Sequence, residues 1–142
     1  MKVNFIYPKR GANDSKPTPE QLYKIIMSLG FKDVCSDPSK FDAAKQVWPD
    51  RSYCNPPFSN KKPFIQMALK SHSKGSEVLL YLPFDPTYSG FHMLYFANAR
   101  ILVFTKRIGY ARYPHALYHL KDYSKPEIIL IWSLEDVKNY IF

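Results

Sequence analysis

A chain of 142 residues holds one domain and has no room for a second full one. Hydrophobic residues at 46% and charged residues at 23% exclude a disordered chain, and the longest apolar runs, Val78 to Leu82 and Ile128 to Trp132, are too short to span a bilayer. Twenty Lys and Arg against twelve Asp and Glu give a net charge of +8 and a pI near 9.4, a balance that favours polyanionic partners such as nucleic acid. Met1-Lys2-Val3-Asn4-Phe5 lacks the apolar stretch of a signal peptide, so the expected address is the cytoplasm.

Taken in chain order, residues 2–7 read as a short strand, and residues 8–17, with Pro8, Gly11 and Pro17, as a loop. Thr18-Pro19-Glu20-Gln21 reads as a helix start, with Thr18 as N-cap, Pro19 in the first helical position and Gln21 closing a capping box. Leu22, Ile25, Ile26 and Leu29 then recur on one helical face, and Gly30 ends the helix. Phe31 to Cys35 reads as a short strand, residues 39–47 as a brief helix, and Arg51 to Cys54 as another strand. A helix is predicted over 61–72, a buried strand over Glu77 to Leu82, a helix over 87–98 and a strand over Arg100 to Phe104. Residues 105–126 read as irregular, Glu127 to Trp132 as a strand, and Ser133-Leu134-Glu135-Asp136 as the cap of a short last helix. Strands that are continuous apolar runs and alternate with helices predict an α/β fold: a mostly parallel sheet with helices on both faces. Ligands of such sheets sit outside the carboxyl ends of the strands. The turns after Cys35, Cys54 and Leu82 would line up along that edge.

Asn55-Pro56-Pro57-Phe58 is the segment whose chemistry is most specific. Two prolines at a strand end make a stiff turn with two N–H donors missing, which leaves carbonyls to face a ligand. The Asn55 amide adds an acceptor and a donor, and Phe58 offers a flat apolar face. Together they can grip a planar amine, with two acceptors on its hydrogens and a ring to stack on. Drawing on those hydrogens helps the amine lone pair turn toward an electrophile. The plainer reading is a rigid loop.

Asn-Pro-Pro-Phe resembles the Asp/Asn/Ser-Pro-Pro-aromatic motif of S-adenosylmethionine-dependent amino-methyltransferases. The wider stretch from Ser36-Asp37-Pro38 through Tyr53-Cys54-Asn55-Pro56-Pro57-Phe58-Ser59 is similar to the small phage-type, Dam-like DNA N-6-adenine methyltransferases. Thr18-Pro19, Asp33-Val34-Cys35, Leu80-Tyr81-Leu82-Pro83, Ile101 to Arg107 and Pro126 to Ile129 extend the likeness over roughly residues 16–132. The resemblance implies a minimal Rossmann-like class I methyltransferase fold and direct methyl transfer from S-adenosylmethionine to a flipped adenine in DNA, with no metal. It also implies a viral or mobile-element source. On the matching positions, Asn55 and the Pro56 carbonyl would hold the amine, Pro57 would shape the turn and Phe58 would stack on the base. Thr18 and Pro19 would border the methionine end of the cofactor. Asp33, Cys35 and Asp37 would face the cofactor from the strand end. Two departures stand out: no Gly-x-Gly follows Asp33, and the chain is short for a seven-stranded methyltransferase sheet. A homodimer could supply the missing surface.

Between 100 and 126, Arg and Lys interleave with Tyr, a composition that suits phosphate contact and base stacking. Lys106, Arg107 and Arg112 there, with Lys61 and Lys62 after the Pro-Pro turn, are the candidate DNA contacts. His115 and His119 lack a third metal ligand nearby and read as surface or DNA-facing residues. Cys35 and Cys54 read as two reduced, mostly buried thiols. The alternatives are a methyltransferase acting on RNA guanine amines or on protein glutamine, and a non-catalytic nucleic-acid-binding module on a decayed methyltransferase fold.

Overall fold

The computed structural model describes residues 17–105 and 114–142; the strand predicted over 2–7 and the candidate DNA contacts Lys106, Arg107 and Arg112 lie outside them. Helix α1 (Glu20–Ser28) buries Leu22, Ile25 and Ile26, and Gly30 closes it in the left-handed region at φ +89°. Strand β1 (Lys32–Asp33) follows, then β2 (Ser52–Cys54), α2 (Lys62–Ser73), β3 (Val78–Pro83) and α3 (Ser89–Phe96). The remainder is β4 (Arg100–Phe104), β5 (His115–Leu120), β6 (Glu127–Ile131) and a last short helix, α4 (Val137–Tyr140).

These strands form one six-stranded sheet in the order β1-β2-β3-β5-β4-β6. The α/β class is as predicted, but the sheet is mixed rather than mostly parallel. β1, β2 and β3 pair in parallel, as do β4 and β6, while β5 runs antiparallel to both β3 and β4. The unexpected strand comes from the stretch predicted as irregular. Every residue of β5, His-Ala-Leu-Tyr-His-Leu, is buried. Its two histidines masked an apolar strand that is covered on both faces.

Helices cover both faces, as expected. α2 and α3 pack on Cys54, Val78, Leu80, Leu82, Ile101 and Val103. On the other face α1 and α4 pack on Tyr53, Leu79, Tyr81, Leu102 and Phe104. The helix predicted over 39–47 is absent. Two successive turns replace it, because the Asp37 and Asp42 carboxylates capture the backbone N–H groups of Ser39 and Ala44 and stop helical propagation. The close approach of α2 and α3 requires glycine at position 90, where a Cβ would lie 2.7 Å from Ile65 Cδ1 and 2.3 Å from the Tyr88 ring. Gly90→Ala should therefore destabilise the protein by about 1–3 kcal/mol despite the better helix propensity of alanine, read as a lowered urea midpoint; an unchanged midpoint would place α3 elsewhere.

At the amino edge of the sheet a buried polar network replaces hydrophobic packing. His119 Nε2 and Glu77 Oε2 are 2.6 Å apart, His119 Nδ1 is 2.7 Å from the Tyr123 hydroxyl, and Arg51 donates to Glu77 Oε1 at 2.6 Å. Neutral His119 fits this geometry, donating from Nε2 to the carboxylate and accepting at Nδ1 from Tyr123. Burial holds the His119 imidazole below its ordinary value, against the opposing pull of Glu77. Burial alone would push Glu77 up, but the His119 hydrogen bond and the Arg51 charge outweigh it, leaving its carboxyl below the ordinary range. Both shifts act in the same direction. Unfolded His119 takes up its proton near pH ~6.5 and folded His119 only below that, so the unfolded chain gains protons first and stability falls as pH drops. Glu77 stabilises above its unfolded value, and that contribution is lost as pH falls through its lower folded value. Urea midpoints should decline from about pH 6.5 downward, and the His119→Gln variant should be less stable at pH 8 but lose the first part of that decline. A wild-type profile flat between pH 7 and 5 would contradict the neutral, buried histidine.

Candidate functional site at the carboxyl edge of the parallel strands

The site is assembled by register. Asp33 pairs with Tyr53, and Cys54 with Leu80, so the turns leaving β1, β2 and β3 emerge side by side. Parallel strands all offer their carboxyl ends to the same edge. The alignment predicted for these turns is thus present.

Thr18 enters this edge from the start of α1. It makes no capping bond, contrary to the capping-box expectation. Instead its buried hydroxyl lies 2.6 Å from the Tyr53 hydroxyl and accepts a hydrogen bond from Asn55 Nδ2 at 3.2 Å. The sequence alone could not tell a capping threonine from one recruited by the neighbouring strand. The consequence is chemical: with its Nδ2 tethered to Thr18, the Asn55 amide turns its acceptor, Oδ1, the other way. Tyr53, fully buried, has its hydroxyl pushed well up by desolvation and stays protonated. Pro19 leads into α1 and accepts the Tyr23 N–H through its carbonyl at 2.9 Å.

Asp33, at the end of β1, accepts from the Tyr23 hydroxyl at 3.0 Å and from the Cys35 N–H at 3.0 Å. Tyr23 and Tyr53 meet edge to face at 6.3 Å, which links the Asp33 group to the Thr18–Asn55 group. Cys35 and Cys54 are joined in a disulfide between the two turns. Two reduced thiols were expected; adjacency of β1 and β2 brings their Cα atoms to 5.2 Å, within bonding range, which a separation of 19 residues does not reveal. Asp37 is not drawn into this group. Its Oδ1 accepts from Ser39 N and Ser39 Oγ in an exposed turn.

Beyond Asn55, Pro56 is buried and Pro57 is extended at φ −61°, ψ 126°, which turns the chain into a single 3-10 turn, Phe58–Asn60. The half-buried Phe58 ring lies 5.4 Å from His115, and His115 stacks on Tyr81 at 4.9 Å. His115 was expected at the surface or on DNA. It is buried, the register partner of Pro83 on β3, and it backs the aromatic wall of the site. Among the described residues no group of three His, Cys, Asp or Glu could hold a metal. Lys61 donates to the Phe58 carbonyl at 3.3 Å and lies 4.3 Å over the Tyr88 ring. Burial lowers its pKa, with Asp85 partly opposing. Lys62 is exposed at the first residue of α2. Sequence reading missed Tyr23, Tyr53 and His115; no alternation marks His115–Leu120, whose six residues are all buried, so no local signal points to the last.

A cleft of about 330 Å³ lined by Arg100, Lys121, Asp122, Tyr123, Tyr140 and Phe142 lies at the opposite, amino edge of β4 and holds none of these groups. Among the described residues no helix is long and apolar enough to cross a membrane. Compared with protein-family models, curated proteins and solved structures, the chain matches none of them.

The disulfide closes a 19-residue loop, for which chain entropy predicts a contribution of about 2–4 kcal/mol. Denatured, unreduced protein should show no free thiol, and dithiothreitol should lower the urea midpoint by a corresponding amount. Free thiols in the untreated protein would refute the bond.

Proposed function

We propose that the protein is an S-adenosylmethionine-dependent methyltransferase acting on the N-6 amine of adenine in DNA, on a minimal Rossmann-like fold. The single observation that carries this reading is the tethered amide of Asn55. It sits at the carboxyl edge of a parallel strand, its donor end held by Thr18, directly before a stiff Pro-Pro turn and an aromatic ring.

The cofactor would supply an electrophilic methyl group on a sulfonium. The residues of the β1 edge fit such a nucleoside-type group in one respect. A carboxylate accepts about four hydrogen bonds, and Tyr23 and Cys35 account for two at Asp33, leaving capacity for sugar hydroxyls. Thr18 and Pro19, at the amino end of α1, would border the amino-acid end. Asn55 Oδ1 and the Pro56 carbonyl would each accept one hydrogen of the adenine amine and orient its lone pair, and Phe58, backed by His115, would stack on the flipped base. The methyl group would pass to the amine nitrogen as its bond to sulfur broke, the electron pair staying on sulfur, and the surplus amine proton would leave to water. Lys61 and Lys62 lie beside the turn where phosphates flanking the base would pass, and the net charge of +8 suits a polyanion.

A non-catalytic nucleic-acid-binding module is the second reading. What favours it is the turn after β1, which lacks glycine and is tied by the disulfide. Incubation with methyl-labelled S-adenosylmethionine and unmethylated duplex DNA, in low salt and with RNA and protein pools in parallel, separates the two. Labelled N-6-methyladenine is expected from the wild type, and a loss of about 10²–10³-fold in rate from Asn55→Ala with its circular dichroism unchanged. No product on any pool would overturn the enzyme reading, and label only in RNA or protein would reassign the substrate.

A further inference from the structure

We propose that Lys61 is a positioning residue of the candidate site: its ammonium joins the Pro-Pro turn to the turn after β3, fixes the backbone of Phe58 behind the ring that stacks on the base, and leaves the DNA backbone to Lys62. The inference deepens the methyltransferase reading and rests on it.

β2 and β3 are parallel neighbours, so the chain leaving Cys54 and the chain leaving Pro83 run out side by side. Beyond the last ladder pair, side chains have to join them. The Lys61 side chain does so. It reaches back and donates from Nζ to the Phe58 carbonyl at 3.3 Å. The same Nζ lies 4.3 Å over the Tyr88 ring, within range of a cation–π contact. The Lys61 carbonyl accepts the N–H groups of Phe64 and Ile65 at 3.1 Å each, so the residue is also anchored to the first turn of α2.

The partner ring is itself held in place. Asp85 Oδ1 accepts from the Thr87 N–H at 3.0 Å and from the Thr87 hydroxyl at 2.6 Å, and the Tyr88 N–H donates to the Asp85 carbonyl at 3.1 Å. The Phe84 N–H donates to the Pro114 carbonyl at 2.9 Å, which ties this turn to the entry of β5. The Tyr88 ring lies against Gly90, where a Cβ would come 2.3 Å from its Cε2. Phe58 is thus held from two directions: its ring by His115 of β5 at 5.4 Å, its carbonyl by Lys61.

The two adjacent lysines divide the work. Lys61 is half-buried and Lys62 is exposed. To meet a phosphate, Lys61 would have to leave both the Phe58 carbonyl and the Tyr88 ring. The Asp85 carboxylate favours the Lys61 charge, against the cost of burial. Lys62, at the first residue of α2, can reach a phosphate without giving up either contact.

The test compares Lys61→Met, Lys62→Gln and Tyr88→Leu with the wild type, each with unchanged circular dichroism. In the free protein, NMR should show the Lys61 ε-protons shifted upfield of those of Lys62 by the Tyr88 ring, and Tyr88→Leu should abolish the shift. In binding to duplex DNA, Lys62→Gln should lower the slope of log affinity against log salt by about one, the share of one phosphate, and Lys61→Met should leave it unchanged. In methyl transfer, Lys61→Met should lower kcat by about 10- to 100-fold with KM for DNA little changed, the order that a misplacement of about 1 Å costs. Tyr88→Leu should do the same, and the double variant should be no slower than the slower single one, because both remove one interaction. Unshifted ε-protons, an unchanged kcat in Lys61→Met, or a loss of about one in its salt slope would overturn the proposal. If the ε-protons are shifted but the wild type forms no methyl product, the methyltransferase reading fails, and the role of Lys61 in it falls while the contact with Tyr88 stands.

Discussion

Parallel registration of β1, β2 and β3 is the constraint on which the rest of the candidate site depends. Asp33, Asn55 and Pro83 are far apart in the chain, and nothing local draws them together. Once Asp33 lies beside Tyr53 and Cys54 beside Leu80, the turns that follow have to share an edge. α1 then brings Thr18 to the same place, because Leu22, Ile25 and Ile26 seat it on the face that includes Tyr53. The Thr18–Tyr53 hydrogen bond is thus a consequence of packing, and the orientation of the Asn55 amide is a consequence of that bond.

The candidate site and a stabilising polar network lie at opposite ends of the strands. At the carboxyl edge the polar groups converge on Asn55 and Asp33. At the amino edge, Arg51, Glu77, His119 and Tyr123 satisfy one another without any such turn beside them. A buried charged group is tolerable only when it is partnered, and here two glutamate oxygens meet two separate donors. Stacking of Arg51 over Phe31 at 4.5 Å and its hydrogen bond to the Leu29 carbonyl fasten the entry to β1 to the same network. The amino edge is therefore held together by its own side chains.

What could be read from sequence follows from which forces are local. The helix ended by Gly30, the helices over 61–72 and 87–98 and the strands at Glu77 and Arg100 were legible, because apolar periodicity and stops such as Gly30 and Gly75 encode them within a few residues. Asn55 to Phe58 was legible as a stiff, chemically distinctive turn for the same reason. β5 was not, since two histidines and a tyrosine look polar until both faces of the strand are covered. Nor was the disulfide, which depends on two strands becoming neighbours. Thr18 was found for the wrong local reason: it has the right residue type for a cap, but a stronger partner, Tyr53, lies across the sheet. The Asp37 and Asp42 turns show the reverse case, where short side-chain contacts to the backbone win over helix formation at 39–47.

The two sides of the site are held unequally. β2 is flanked on both sides by paired strands, so Asn55 leaves from the interior of the sheet. β1 is an edge strand of two residues, and so short a ladder fixes little by itself. Other anchors crowd there: the Cys35–Cys54 bond, the Tyr23–Asp33 hydrogen bond, and the Arg51 contacts to Leu29 and Phe31. Their concentration at one end of the sheet has a physical reason, because a weak edge must be tied where backbone pairing is scarce. Loosening the Tyr23 or Arg51 anchors acts on the Asp33 side, whereas the disulfide, through Cys54, also reaches the residue before Asn55. In the proposed chemistry the grip on the cofactor is therefore the more labile half, and the grip on the amine the more rigid one.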